Sequence, residues 1–225
     1  MKNSISLPFS FSSETPKVLE EVIHPLIRKF YQELVEYLLI ISPPDNIKHE
    51  VNIFKDRLAK EHGDYAARHS IAHLTLASFL LHPKREEALI RSLQYAAAEE
   101  SVKTFTINGF AAFDASNTLY LKIKELSSFS QLSKNINNKT LRIYLPGSHK
   151  NITNNPHLTI GKGLSNLPTA KNMFLHQEYT RDFVSTGLIL LKRNEKNKYV
   201  LVQEIPFLSK APAQLTLYSE LTYMG

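Results

Sequence analysis

The chain has 225 residues, 43% of them hydrophobic, which is enough for one large core or two small lobes and excludes a wholly disordered protein. It has no cysteine, so disulfides, thiolate catalysis, cysteine-bound zinc and iron–sulfur clusters are out. Lys and Arg total 27 against 21 Asp and Glu, and the resulting +6 favours polyanionic partners, nucleic acid above all.

The N-terminal stretch lacks the uninterrupted apolar core of a signal peptide, and no later run approaches the ~20 apolar residues of a membrane helix. A soluble, cytoplasmic protein with no membrane partner is expected. Thr15-Pro16 can start a helix, and Val18, Leu19, Val22, Ile23, Leu26, Ile27, Phe30 and Leu34 follow at helical spacing, with Pro25 as a kink. Val35 to Ile41 is a short apolar run ended by Ser42-Pro43-Pro44 and reads as a central strand. Asp45 or Asn46 can cap a helix with the apolar face Ile47, Val51, Phe54 and Leu58, and Gly63 near its end.

A loop with Arg68 and His69 leads to a strand over Ser70 to Leu81, stopped by His82-Pro83. Pro83 to Glu100 reads as a helix, Lys103 to Phe113 and Thr118 to Lys124 as a hairpin, Ser128 to Ile136 as a helix, and Leu141 to Leu145 as a strand. A polar loop from Pro146 to Pro156 delivers the chain into a second short strand. A helix from Leu167 to about Glu178 and a long hairpin from Arg181 to Phe207, turning at residues 194–197, complete the pattern. The tail from Leu208 reads either as an edge strand or as an arm.

One pattern occurs twice: His73-Leu74-Thr75-Leu76 and His157-Leu158-Thr159-Ile160. On a strand, His and Thr of one copy share a face about 6.6 Å apart, while the apolar residues between point to a core. A shuffled chain of this composition would hold roughly 0.1 such motifs, so the repetition is a signal. The 84-residue spacing between copies suits two related α+β lobes.

With both motifs intact, the chain resembles the 2H phosphoesterase superfamily, and within it the 2′-5′ RNA ligase and RNA cyclic phosphodiesterase-like proteins. The likeness covers about Glu36 to Phe207: the first strand with its Pro-rich exit, both motif strands and the closing hairpin. It implies an α+β fold of two antiparallel sheets with helices on their outer faces, related by a pseudo-two-fold and flanking a central groove. The implied domains are an extension over 1–34, the bilobal domain over 35–207 and a tail over 208–225. The extension and the tail have no family counterpart, and Leu81 stands where many relatives have glycine.

Carried over residue by residue, His73, Thr75, His157 and Thr159 are the implied catalytic set, with Lys162 as the basic residue after the second motif. The residues suit that chemistry. One neutral imidazole takes a proton from water, a protonated one gives a proton to a departing ribose oxygen, and the threonine hydroxyls hold phosphate oxygens. No metal or other cofactor is expected, and the four-residue spacing of His69 and His73 carries little weight on a strand lead-in. The implied function is a metal-independent phosphoesterase hydrolysing, or reversibly ligating, 2′,3′-cyclic or 2′-5′ phosphodiester ends of RNA or nucleotides. The alternative is an RNA- or nucleotide-binding protein of the same fold without turnover. Further candidates for substrate contact are His149 and Lys150 in the polar loop, Arg68 and Arg142 as phosphate clamps, and Tyr144 and Phe129 as stacking partners for a base, although core packing explains the two aromatics as well.

Overall fold

The computed structural model describes residues 33–65, 67–145, 150–193 and 198–211. The expected N-terminal helix, His149, the Tyr144 side chain and most of the tail lie outside the described residues. Among the described residues no helix is long and apolar enough to cross a membrane.

β1 (Val35–Ile41) is buried along most of its length, as its Tyr-Leu-Leu-Ile-Ile run requires. It pairs antiparallel with β2 (Leu74–Leu81), from Val35 opposite Leu81 to Ile41 opposite Leu74. Beyond Ile41 the chain enters Pro43 and Pro44, which have no N–H to donate, so the ladder stops. The first motif strand therefore starts at Leu74 and not at Ser70, and His73 is the last residue of a lead-in loop.

α1 (Asp45–His62) takes Pro44 as its N-cap, not Asp45 or Asn46. The Pro44 carbonyl accepts the Lys48 N–H, and Asp45, in the first turn, ion-pairs with Lys48 at 3.0 Å. The helix ends at Gly63, whose φ of +74° turns the chain while its N–H bonds the Ala59 carbonyl. Val51, Leu58 and Phe54 pack it against the second motif strand and its neighbours, with Phe54 edge-on to Phe110, Phe174 and Tyr179. A Cβ at Gly161 would lie 2.7 Å from Leu58, so glycine there permits the close approach of helix to strand.

α2 (Glu86–Ala98), β3 (Lys103–Phe113), β4 (Thr118–Ile123) and α3 (Leu126–Ile136) follow where periodicity placed them, within a few residues. Leu141 to Leu145, expected as a strand, is instead a π-helical turn over Asn137–Leu141 running into one helical turn over Arg142–Tyr144. The alternation of Leu141, Ile143 and Leu145 suggested a strand, but Leu141 and Leu145 are buried, Ile143 is exposed, and Leu145 N–H bonds the Leu141 carbonyl. Helical spacing won because Thr140, buried one residue earlier, bonds the Ser92 carbonyl of α2 and anchors the turn there.

β5 (Lys150–Ile152) adds an edge strand to β2 within the stretch expected to be loop. β6 (His157–Gly161) is the second motif strand, and α4 (Leu167–Phe174) stops short of Glu178. The expected hairpin over 181–207 is two things. β7 (Thr180–Ser185) pairs with β3, whereas β8 (Gly187–Arg193) and β9 (Tyr199–Pro206) form a hairpin beside β1. The chain changes sheets at Thr186, where a Cβ on Gly187 would lie 2.4 Å from the Ile205 carbonyl oxygen.

Two antiparallel sheets result, in the orders β5-β2-β1-β8-β9 and β6-β4-β3-β7, and the fold class is the expected α+β. α1 packs on β6, α4 on β3 and β4, and α2 on β9. One contiguous core joins both sheets, Leu39 and Leu76 from the first with Phe105 and Leu158 from the second. Downstream of β9, Ser209 and Lys210 donate backbone N–H bonds to the carbonyls of Glu100 and Ala98, so the described part of the tail lies along the end of α2.

Candidate functional site

The two motif strands belong to different sheets yet approach one another, with Leu74, Leu76, Leu158 and Ile160 in the shared core. The alternation that buries these four leaves His73, Thr75, His157 and Thr159 half-buried on the opposite faces of their strands. The two imidazoles are near enough for the charge of His157 to act on His73.

Each ring is held the same way. His73 Nδ1–H donates to the carbonyl oxygen of Ile71 at 2.7 Å, and His157 Nδ1–H to that of Asn155 at 2.9 Å, each two residues upstream. A carbonyl only accepts, so Nδ1 carries the proton, and in the neutral ring Nε2 keeps its lone pair. Burial pushes both histidines below their ordinary range against the pull of these carbonyl bonds. The charges of Lys55 and His157 add to the effect on His73, and that of Lys162 to the effect on His157. The site thus holds two imidazoles that favour neutrality at pH 7, each offering one nitrogen.

Around His157 the structure assembles residues that sequence reasoning missed. Tyr120 lies across from Thr159 and Lys122 across from His157 in the β4–β6 ladder, and directly opposed residues share a face. Phe113 stacks on Tyr120 with ring centroids 4.1 Å apart, and both rings stand at steep angles to His157, at 5.1 and 5.2 Å. Lys122 is exposed, and no hydrogen bond or ion pair holds its ammonium among the described residues. His157 thus stands beside half-buried Phe113, which stacks on the nearly buried Tyr120, while the Lys122 ammonium lies near Gly109 of β3.

Three comparisons bear on this geometry. The 2′-5′ RNA ligase superfamily model matches residues 43–197. The chain belongs to that superfamily. Among curated proteins none matches by sequence. Among solved structures, Escherichia coli LigT complexed with 3′-AMP is similar with a TM-score of 0.55 at 17% identity, over 78% of this chain and 99% of LigT. TT0787 of Thermus thermophilus is similar with a TM-score of 0.58 at 13% identity, over 78% of this chain and 100% of that one. At such identities the likeness is one of fold, the two-sheet architecture of the superfamily.

Within this superfamily member the remaining candidates scatter. Lys162 follows β6 and stays exposed, close enough for its charge to act on His157. Lys150 is paired with Phe79, on the core-facing side of β2, and its ammonium donates to Asn137 Oδ1 at 3.0 Å, with Arg142 nearby; these two cations lie together on the helix side, away from the motif faces. Arg68 reaches Asp56 and Asp64, and His69 bonds Asp64, in the loop before His73. Phe129 is fully buried against Phe105, a core ring and not a stacking platform. Among the described residues no three His, Asp or Glu side chains gather in metal-binding geometry.

Proposed function

We propose that this chain is a phosphoesterase that opens 2′,3′-cyclic or cleaves 2′-5′ phosphodiester ends of RNA or nucleotides by proton transfer between two histidines, and that it can run the reverse, joining reaction. Membership in the superfamily supports a phosphoesterase or ligase kind of function. The observation that carries the finer reading is the matched pair of Nδ1–carbonyl bonds, which leaves two Nε2 atoms available at the heads of the two motif strands, each with a threonine hydroxyl two residues on.

In hydrolysis one Nε2 accepts a proton as the water oxygen bonds to phosphorus. The bond from phosphorus to the ribose oxygen breaks, and the other imidazole, protonated, gives its proton to that oxygen. Each transfer contributes roughly 10²- to 10⁴-fold. Thr75 and Thr159 donate to the non-bridging oxygens as charge shifts onto them. The Phe113–Tyr120 pair and the Lys122 ammonium suit a base and a phosphate of the same polynucleotide. That the similar LigT was crystallised with 3′-AMP, NADP+ and ATP supports a nucleotide ligand here too.

The test is turnover of a nucleoside 2′,3′-cyclic phosphate and of a short RNA ending in one, with chelator present. Turnover lost in both His73→Ala and His157→Ala supports the reading. Tight nucleotide binding with no turnover by the wild type would favour the pure binder.

A further inference from the structure

Lys55 is the one lysine of α1 whose side chain is buried, at 1% exposure. Its ammonium reaches away from the helix to the loop before His73, donating to the backbone carbonyl of Ser70 at 2.5 Å and to Ser70 Oγ at 2.9 Å. Ser70 Oγ–H donates in turn to the Ala67 carbonyl at 2.7 Å, and one residue after Ser70 comes Ile71, whose carbonyl orients the His73 ring. At the other side the Tyr65 hydroxyl bonds the Lys55 carbonyl, so helix and loop are tied at both ends of this residue. No carboxylate pairs with the Lys55 ammonium among the described residues; Asp56 and Asp64 are spent on Arg68 and His69. A buried cation without a counter-ion is a cost to a fold, not a support for it.

The groups that face His73 with charge are Lys55 from α1 and His157 from β6. Lys162 acts on His157, and Lys122 stands across from it on β4 with its ammonium near Gly109, but both are exposed and solvent screens them, whereas Lys55 acts through the interior. The two histidines are therefore unequal in their surroundings although alike in their hydrogen bonds.

We propose that Lys55 is a positioning residue for His73: it fastens the loop whose carbonyl aims the ring, and its unneutralised charge disfavours the imidazolium there, so that a proton shared by the pair resides on His157. The inference deepens the proposed function and rests on it for its catalytic consequence. His73 then takes the proton from water while His157 delivers its proton to the leaving ribose oxygen.

The experiment is an NMR titration of the histidine ring signals in the ligand-free protein, wild type, K55M and S70A, alongside the pH dependence of kcat/KM on a cyclic phosphate. In K55M the His73 midpoint rises by about half a pH unit or more, the His157 midpoint stays in place, and the acid limb of the activity profile moves up with His73. S70A keeps the charge, so its midpoint stays while kcat falls by about tenfold or less through a loosened loop. An unmoved His73 midpoint in folded K55M overturns the proposal. Should K55M not fold, the wild type decides: as Lys55 loses its proton near pH 8, the His73 signals show a second, smaller inflection that His157 lacks, and its absence overturns the proposal equally. The titration needs no substrate, so it separates this inference from a failure of the proposed activity.

Discussion

Two imidazoles with fixed tautomers and two hydroxyls are few groups, and each should be costly to lose. His73→Ala and His157→Ala are each expected to lower kcat by about 10²- to 10⁴-fold, and Thr75→Val or Thr159→Val by about tenfold, read from steady-state rates on a cyclic phosphate. Both histidines are held below their ordinary range, so the free enzyme loses its base only at acid pH and loses its acid early on the alkaline side. The kcat/KM profile should be a bell centred below about pH 6.5, its limbs belonging to the coupled pair; a monotonic curve between about pH 5 and 9 would count against paired histidines. Lys122→Ala should leave kcat within a few-fold, weaken binding of a short RNA, and reduce the slope of log affinity against log salt by about one. An unchanged slope would remove Lys122 from the substrate's path.

At the scale of elements, the four motif residues were legible because strand alternation is local: His and Thr two apart share a face whatever the partner strand. Their neighbours were not. Lys122 and Tyr120 reach the site through register between β4 and β6, and Lys55 reaches it across from a helix whose own periodicity only marks that position as one among several polar ones. The misread segments fail for related reasons. Leu141, Ile143 and Leu145 fit two periodicities over five residues, and contact with α2 decided between them. Arg181 to Ser185 reads as the start of one long arm continuous with β8, and only the crowding at Gly187, where the chain changes sheets, separates the two. Gly187→Ala should therefore destabilise the protein by about 1–3 kcal/mol in urea unfolding, because the added Cβ meets backbone that cannot move aside. A variant as stable as wild type would show that the crossing tolerates a side chain.

For the molecule as a whole, Lys55 makes stability depend on pH in an uncommon direction. Burial lowers its ammonium from 10.5 to about 8 in the folded protein. Between those values the unfolded chain holds the proton and the folded protein does not, so stability rises with pH across that window; below about pH 8 the full penalty applies, on the order of 3 kcal/mol. Lys55→Met removes this dependence. Its thermal stability relative to wild type should be highest near neutral pH and decline by about pH 10, and a constant difference across that range would mean that Lys55 titrates as an exposed lysine.

The histidine anchors carry a different kind of consequence. In a serine-type triad the group that orients the histidine is a carboxylate, and one codon change deletes it. Here the orienting atoms are the backbone oxygens of Ile71 and Asn155, which every amino acid supplies. The two positions whose carbonyls orient the rings are therefore nearly invisible to alanine scanning and free to drift in side-chain identity, so the genetic target for misaligning the two histidines is smaller than their number of contacts suggests.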